Sequence, residues 1–330
     1  MEALHQISAR HPDFHASLQR FLKSLESSQN TIRSYQNAIR SFMDWMAASD
    51  IENPKRENVI QWKDHMKATR SLGTAQTYLT AVKAFFRFLE QENLYRDITV
   101  NIRGVHVGNN PKKDPLTVEQ VLTVLAKTQE NTSGNRDYAI ILLMVTCGLR
   151  ISEIARANIG DFHWSGNSLL LSIHGKGKDG KTEFVPVPGI TAQAINHYLN
   201  TRKRADENSP LFVSQSNNHY GRRISPRSIS RMVKQTFMEC GLCNRRLTAH
   251  SLRHTAITLS LIAGSSLQEA QQFARHSLIT TTQIYAHNLE HVRNPCADRV
   301  AEALFPQRSF AALLKGKMAF NQEGKENIRL

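Results

Sequence analysis

Between residues 12 and 95 the apolar positions fall at helical spacing in four separate runs. In "DFHASLQRFLKSLES" the residues Phe14, Leu18, Phe21, Leu22 and Leu25 share one face. "TIRSYQNAIRSFMDWMAAS" repeats the stripe with Ile32, Tyr35, Ile39, Phe42, Trp45 and Met46, after a polar capping run from Ser27 to Asn30. A shorter run, "NVIQWKDHMKATR", follows, and "TAQTYLTAVKAFFRFLEQE" closes the set with Tyr78, Leu79, Val82, Phe85, Phe86 and Leu89. Amphipathic helices joined by short polar connections predict a compact all-α bundle. The periodicity then stops. Residues 96–115 carry Gly, Asn, Pro and Lys without an apolar stripe and read as an inter-domain linker.

A second pattern starts at Leu116. "LTVEQVLTVLAKTQ" opens with Thr117 and Gln120 at capping-box spacing. "RDYAIILLMVTCGL" is apolar nearly all round, which predicts a buried central helix. "RISEIARAN" resumes after the break at Gly148. Two β-rich runs, Ser168 to His174 and Thr182 to Val187, flank a Gly/Lys turn and predict a hairpin with a basic tip. Helical patterns return in "TAQAINHYLNTRKR", "SPRSISRMVKQTFMECGL", "TAHSLRHTAITLSLIAG", "SLQEAQQFARH" and "TTQIYAHN". The fold class is therefore mainly α with a small β element, in two domains.

Charge narrows the function. The 330 residues carry a formal +14, and residues 1–95 hold 12 basic against 10 acidic side chains, so +12 falls on residues 96–330. That exceeds what solubility asks for and points to a polyanion, of which nucleic acid is the commonest. The longest apolar run, Tyr138 to Leu149, is too short to span a bilayer. No charged-then-apolar leader opens the chain, so a cytoplasmic location is expected. Cys240 and Cys243 form a lone C-x-x-C without two further ligands at matching spacing, so no metal is expected there.

The chemistry-bearing residues cluster in short motifs: Arg150 in "TCGLRISEIA", Lys176 in "HGKGKDGK", His250 and Arg253 in "HSLRHT", His276 in "ARHS", and Tyr285 in "TTTQIYAH". Each alone has an ordinary explanation: a surface arginine, a helix-capping histidine, a core tyrosine with a satisfied hydroxyl. His250 and His254 stand at i and i+4 as metalloprotease ligands do, but Ser251 occupies the place of the glutamate in that motif. Taken together, in this order and spacing, the motifs resemble the tyrosine recombinase (phage integrase) family, with the greatest likeness to its Xer-type and mobile-element members.

The resemblance covers essentially the whole chain. It implies a helical, SAM-like core-binding domain at 12–95, a linker at 96–115, a catalytic domain at 116–306 and a basic C-terminal extension at 307–330. It implies Tyr285 as the nucleophile that leaves a 3′-phosphotyrosine, and Arg150 with Arg253 as the guanidiniums on the scissile phosphate. Lys176 is then the acid for the leaving 5′-oxygen, with Lys178 and Lys181 as nearby competitors. His250 acts as acid or base, and His276 binds a phosphate oxygen. Glu153 either orients Arg150 or is an exposed i,i+3 partner, and His254 is expected to be structural. The implied partners are double-stranded DNA recombination sites, bound by a homotetramer or together with a related recombinase. No cofactor and no metal is implied. The segment "RVAEALF", Arg299 to Phe305, resembles the family's C-terminal helix.

One departure stands out. Where family members usually have Leu-Gly before the second motif histidine, this chain has Ala274-Arg275, an arginine that either adds a DNA contact or replaces a turn glycine. Two rival readings share the chemistry or the fold: a type IB topoisomerase-like enzyme or hairpin resolvase, and a DNA-binding regulator that has lost catalysis. The second predicts a missing motif residue, and none of the six is missing.

Overall fold

The computed structural model describes residues 13–108, 113–130, 134–175, 180–202, 205–293, 299–300 and 303. The chain divides into two compact units, Met1–Asn109 and Asn110–Leu330. No helix among the described residues is long and apolar enough to cross a membrane.

The first unit is a bundle of α1 (Phe14–Ser24), α2 (Gln29–Ala48), α3 (Arg56–Thr69) and α4 (Leu72–Gln91). Each start has a local cause. The Asp13 carboxylate accepts from the amides of His15 and Ala16 at 2.9 and 3.1 Å, and Ser28 and Ser71 cap α2 and α4 through Thr31 and Thr74. The predicted stripes converge on one core of Leu18, Phe21, Ile39, Phe42, Trp62, Leu79, Phe85 and Phe86. Phe42 meets the edges of Trp62 and Phe86 at centroid distances of 5.2 and 5.9 Å. Each such ring contributes about 1.5–3 kcal/mol by leaving water. Part of the segment read as a linker belongs to this core: Ile98, Ile102 and Val105 are buried in it. The Gln76 side-chain oxygen accepts from the Val105 amide at 2.6 Å, and Lys83 donates to the Ile102 carbonyl.

The second unit is built round α6 (Gly134–Thr146), whose residues Ala139 to Met144 are all buried, as an all-apolar helix requires. Against it lie α5 (Val118–Glu130), opened by the expected Thr117–Gln120 box, and the short α7 (Ile151–Arg156). A three-stranded antiparallel sheet follows, β1 (Phe162–Ser165), β2 (Ser168–Ile173) and β3 (Glu183–Pro186), in the order β1-β2-β3. The β2–β3 pairing is the expected hairpin, with Leu171 opposite Val185. β1 is an addition: four residues with only Phe162 partly covered leave no alternation to read. The remaining helices are α8 (Gly189–Asn200), α9 (Pro226–Glu239), α10 (Ala249–Ile262), α11 (Leu267–Ala274) and α12 (Ile279–Arg293). α10 touches α6, α9, α11 and α12, so the "HSLRHT" motif lies in the middle of the unit.

Candidate active site

Two residues after α6 ends comes Gly148, which adopts φ +58°, a conformation that glycine enters without steric cost. The bend delivers Arg150 to the N-cap of α7. There the Arg150 amide and Nη1 both donate to Glu153, at 2.7 Å each, and the Glu153 side chain is only 2% exposed. Glu153 is thus a buried orienting group and not an exposed partner.

In α10, His250 and Arg253 stand one turn apart, the former exposed and the latter 2% exposed. The Arg253 guanidinium donates to the carbonyls of Gly148 and Ala274. Burial, then the charges of Arg150 and Arg275, bring its pKa down to about 9, which still leaves it a cation at neutral pH. Desolvation and then Arg253, Arg150 and Lys113 hold His250 below the usual histidine range.

α11 starts with a box between Ser266 and Glu269 and stops at Arg275, which takes the left-handed conformation at φ 52° and ψ 47°. The turn sets His276, whose Nδ1 lies 2.9 Å from Thr282 Oγ1 and whose carbonyl accepts from Gln271 Nε2 at 3.0 Å. The question posed by Ala274-Arg275 is settled: the guanidinium folds inward. Arg275 Nη2 donates to Glu153 at 2.9 Å and to the Gly148 carbonyl at 3.2 Å, and Nη1 donates to the Phe273 carbonyl at 3.0 Å.

Tyr285, in the second turn of α12, points back to α10, where its phenol is hydrogen-bonded to Nδ1 of His254. The His254 ring stands 4.9 Å from His250, edge to face, and the rings of His254 and His276 lie 5.1 and 6.3 Å from Tyr285. Burial pushes Tyr285 up to about 12, partly offset by Arg253. Burial and neighbouring positive charge bring His254 and His276 down to about 4. Both shifts favour the neutral phenol beside the neutral imidazole. In this geometry His254 holds the tyrosine and does not ionise it. The contact was invisible in the sequence because i+1 after Arg253 looks like a core position.

Arg150, His250, Arg253, His276 and Tyr285 thus gather on three neighbouring segments: the Gly148–Arg150 bend, α10, and the turn from α11 into α12. Lys176 and Lys178 lie outside the described residues, as do four of the seven residues of the "RVAEALF" segment. Lys181 is paired with the buried Asp161 carboxylate, which also accepts from the Asn158 amide at 2.7 Å, and so is poorly placed to serve as a mobile acid. The cluster presents guanidiniums, imidazoles and the Tyr285 hydroxyl, a set suited to a phosphate whose negative charge grows during reaction.

Comparison with known proteins agrees with the geometry. Residues 115–291 match the phage integrase family, and residues 17–93 match the phage integrase N-terminal SAM-like domain. A tyrosine recombinase XerC of Chlamydia trachomatis is 34% identical over 229 residues, covering 68% of this chain and 70% of that protein. Another XerC, of Alcanivorax borkumensis, is 34% identical over 221 residues, covering 65% and 68%. Among solved structures, the XerH site-specific recombinase bound to a palindromic difH substrate in a post-cleavage complex overlays with a TM-score of 0.70 at 19% identity, over 88% of this chain and 94% of that one. The Tn1549 transposon integrase in complex with circular intermediate DNA gives 0.67 at 20% identity, over 83% and 94%. With its mainly helical two-domain fold, its matched catalytic region and relatives of this similarity, the chain belongs to the phage integrase family of tyrosine recombinases.

Proposed function

We propose that this recombinase cuts and rejoins DNA at two copies of a short site through a 3′-phosphotyrosine at Tyr285 and a Holliday junction, working as a tetramer on DNA. The observation that carries the reading is the Tyr285 phenol packed against His254 and His276 on the helix that bears Arg253 and on the turn that Arg253 grips. In the step, the phenolic oxygen gives up its proton, for which His250 is the proposed acceptor, and forms a bond to phosphorus as the bond to the 5′-oxygen breaks. The leaving oxygen takes a proton, for which Lys176 is the proposed donor. Arg150 and Arg253 stabilise the charge gathering on the non-bridging oxygens, His250 exchanges protons at the site, and His276 donates to a phosphate oxygen. The covalent link conserves the bond, so rejoining to another strand needs no nucleotide.

In this reading residues 12–95 and 116–306 both hold DNA, chiefly through phosphates, and binding weakens steeply with salt. Integration or excision of a mobile element and resolution of a dimer require this same reaction, and the identity of the sites separates them. A nicked suicide substrate carrying the site tests the proposal. Wild type is expected to accumulate a covalent protein–DNA adduct that Tyr285→Phe does not form. No adduct with wild type, or as much with Tyr285→Phe, overturns it.

A further inference from the structure

Arg275 is costly where it stands. A residue with a Cβ at φ 52° and ψ 47° occupies a conformation normally left to glycine, and such strain persists only where the surroundings over-determine it. What holds it is its own side chain, 10% exposed and bonded to Glu153, to the Gly148 carbonyl and to the Phe273 carbonyl. The Glu153 carboxylate it reaches is the one that fixes Arg150 through both amide and Nη1. The Gly148 carbonyl it reaches is the one that Arg253 also grips.

We propose that Arg275 is a positioning residue of the phosphate site, which balances Glu153 so that Arg150 can be oriented by a carboxylate without its charge being cancelled. The inference rests on the reading of Arg150 and Arg253 as the phosphate-binding pair. Three guanidiniums against Glu153 leave this inner cluster at net +2, while without Arg275 it would hold net +1. The Glu183 carboxylate, 26% exposed and 4.0 Å from Arg275 Nε, sits at its edge. A phosphodiester passes from one negative charge to two at its pentacoordinate transition state, so the missing charge is felt most at the barrier and little in ground-state binding. Arg275 also ties the bend carrying Arg150 to the turn carrying His276, holding both in register.

The experiment compares wild type, Arg275→Gly and Arg275→Lys on two suicide substrates, one natural and one with an uncharged methylphosphonate at the scissile position. Glycine suits the left-handed turn, so Arg275→Gly removes charge without backbone strain, and thermal unfolding checks that the fold is kept. On the natural substrate its cleavage rate is expected to fall about 10- to 100-fold at nearly unchanged DNA affinity. On the methylphosphonate, where less negative charge develops, most of that defect is expected to vanish. Arg275→Lys, which keeps the charge but loses the fork, is expected to retain more of the natural rate than Arg275→Gly. A Gly defect equal on both substrates, no defect at all, or equal rates for Gly and Lys overturns the role of Arg275. Tyr285→Phe runs alongside. If wild type forms adduct and Tyr285→Phe does not, the reaction stands whatever Arg275 does. If Arg275→Gly fails to fold, Arg275→Asn, which also removes the charge and tolerates the left-handed turn, carries the same substrate comparison, and a defect unrelieved by methylphosphonate again overturns the role.

Discussion

The two units solve the same packing problem with opposite materials. The first buries a nest of aromatic rings, with Phe42, Trp62, Phe85 and Phe86 all at or below 1% exposure. The second adds to an equally dry core a group of charges, Glu153 and Arg253 among them, at 4% and 2% exposure. Burying charge is expensive unless every partner is in place, and a half-satisfied polar cluster is worse than an apolar one. The contrast shows where stability is being spent. Among the described residues the core of the first unit holds no charge, while the second unit holds cations close together, against their repulsion, where a phosphate would relieve them.

The comparison can be broken from either side. The largest stability effect is expected in the aromatic core, where Phe86→Ala should cost about 3–5 kcal/mol, read by denaturant unfolding. If the second unit's transition moves equally, the two do not behave as separate bodies. At the charged cluster, Arg253→Lys keeps one positive charge but cannot bridge the carbonyls of Gly148 and Ala274. It should slow cleavage by about 2.7–4 kcal/mol, measured as the rate of adduct formation, and a rate near wild type would mean that charge alone suffices.

The third effect is on pH. His254 and His276 are held down to about 4 in the folded chain, so below the ordinary value of about 6.5 the unfolded chain takes up more protons. Stability is therefore complete above about 6.5, is lost as pH falls towards 4, and changes no further from these groups below that. Unfolding curves at pH 7 and pH 5 should show the loss in the second unit only. A loss shared equally by the first unit would undo the contrast.

Much of this was legible in the chain. The stripes of α2 and α4, the apolar girth of α6 and the Thr117 box are local patterns whose physical causes are local too, and each appears in the fold. The assembly of Arg253 with the bend at Gly148 was legible only through motif order, because the residues lie 105 positions apart. What escaped notice depends on contacts that no periodicity records. Ile98, Ile102 and Val105 are three isolated apolar residues in a turn and irregular stretch, too few to mark an element, yet they pack on the helices of the bundle. His254 looks ordinary in sequence and Arg275 only a departure at a glycine position, and both acquire meaning when Tyr285 and Glu153 come near.

The oxygen of Gly148 receives both Arg253 and Arg275, and it belongs to the main chain. No exchange of side chains can delete it. What can displace it is a change in the bend itself, which sits at φ +58° with the ring of Phe273 only 3.1 Å from where a Cβ would be. The alignment of two cations therefore leans on a hydrogen atom, the one glycine carries in place of a side chain: a larger residue there would have to displace the Phe273 ring by a few tenths of an ångström and accept a left-handed bend as well.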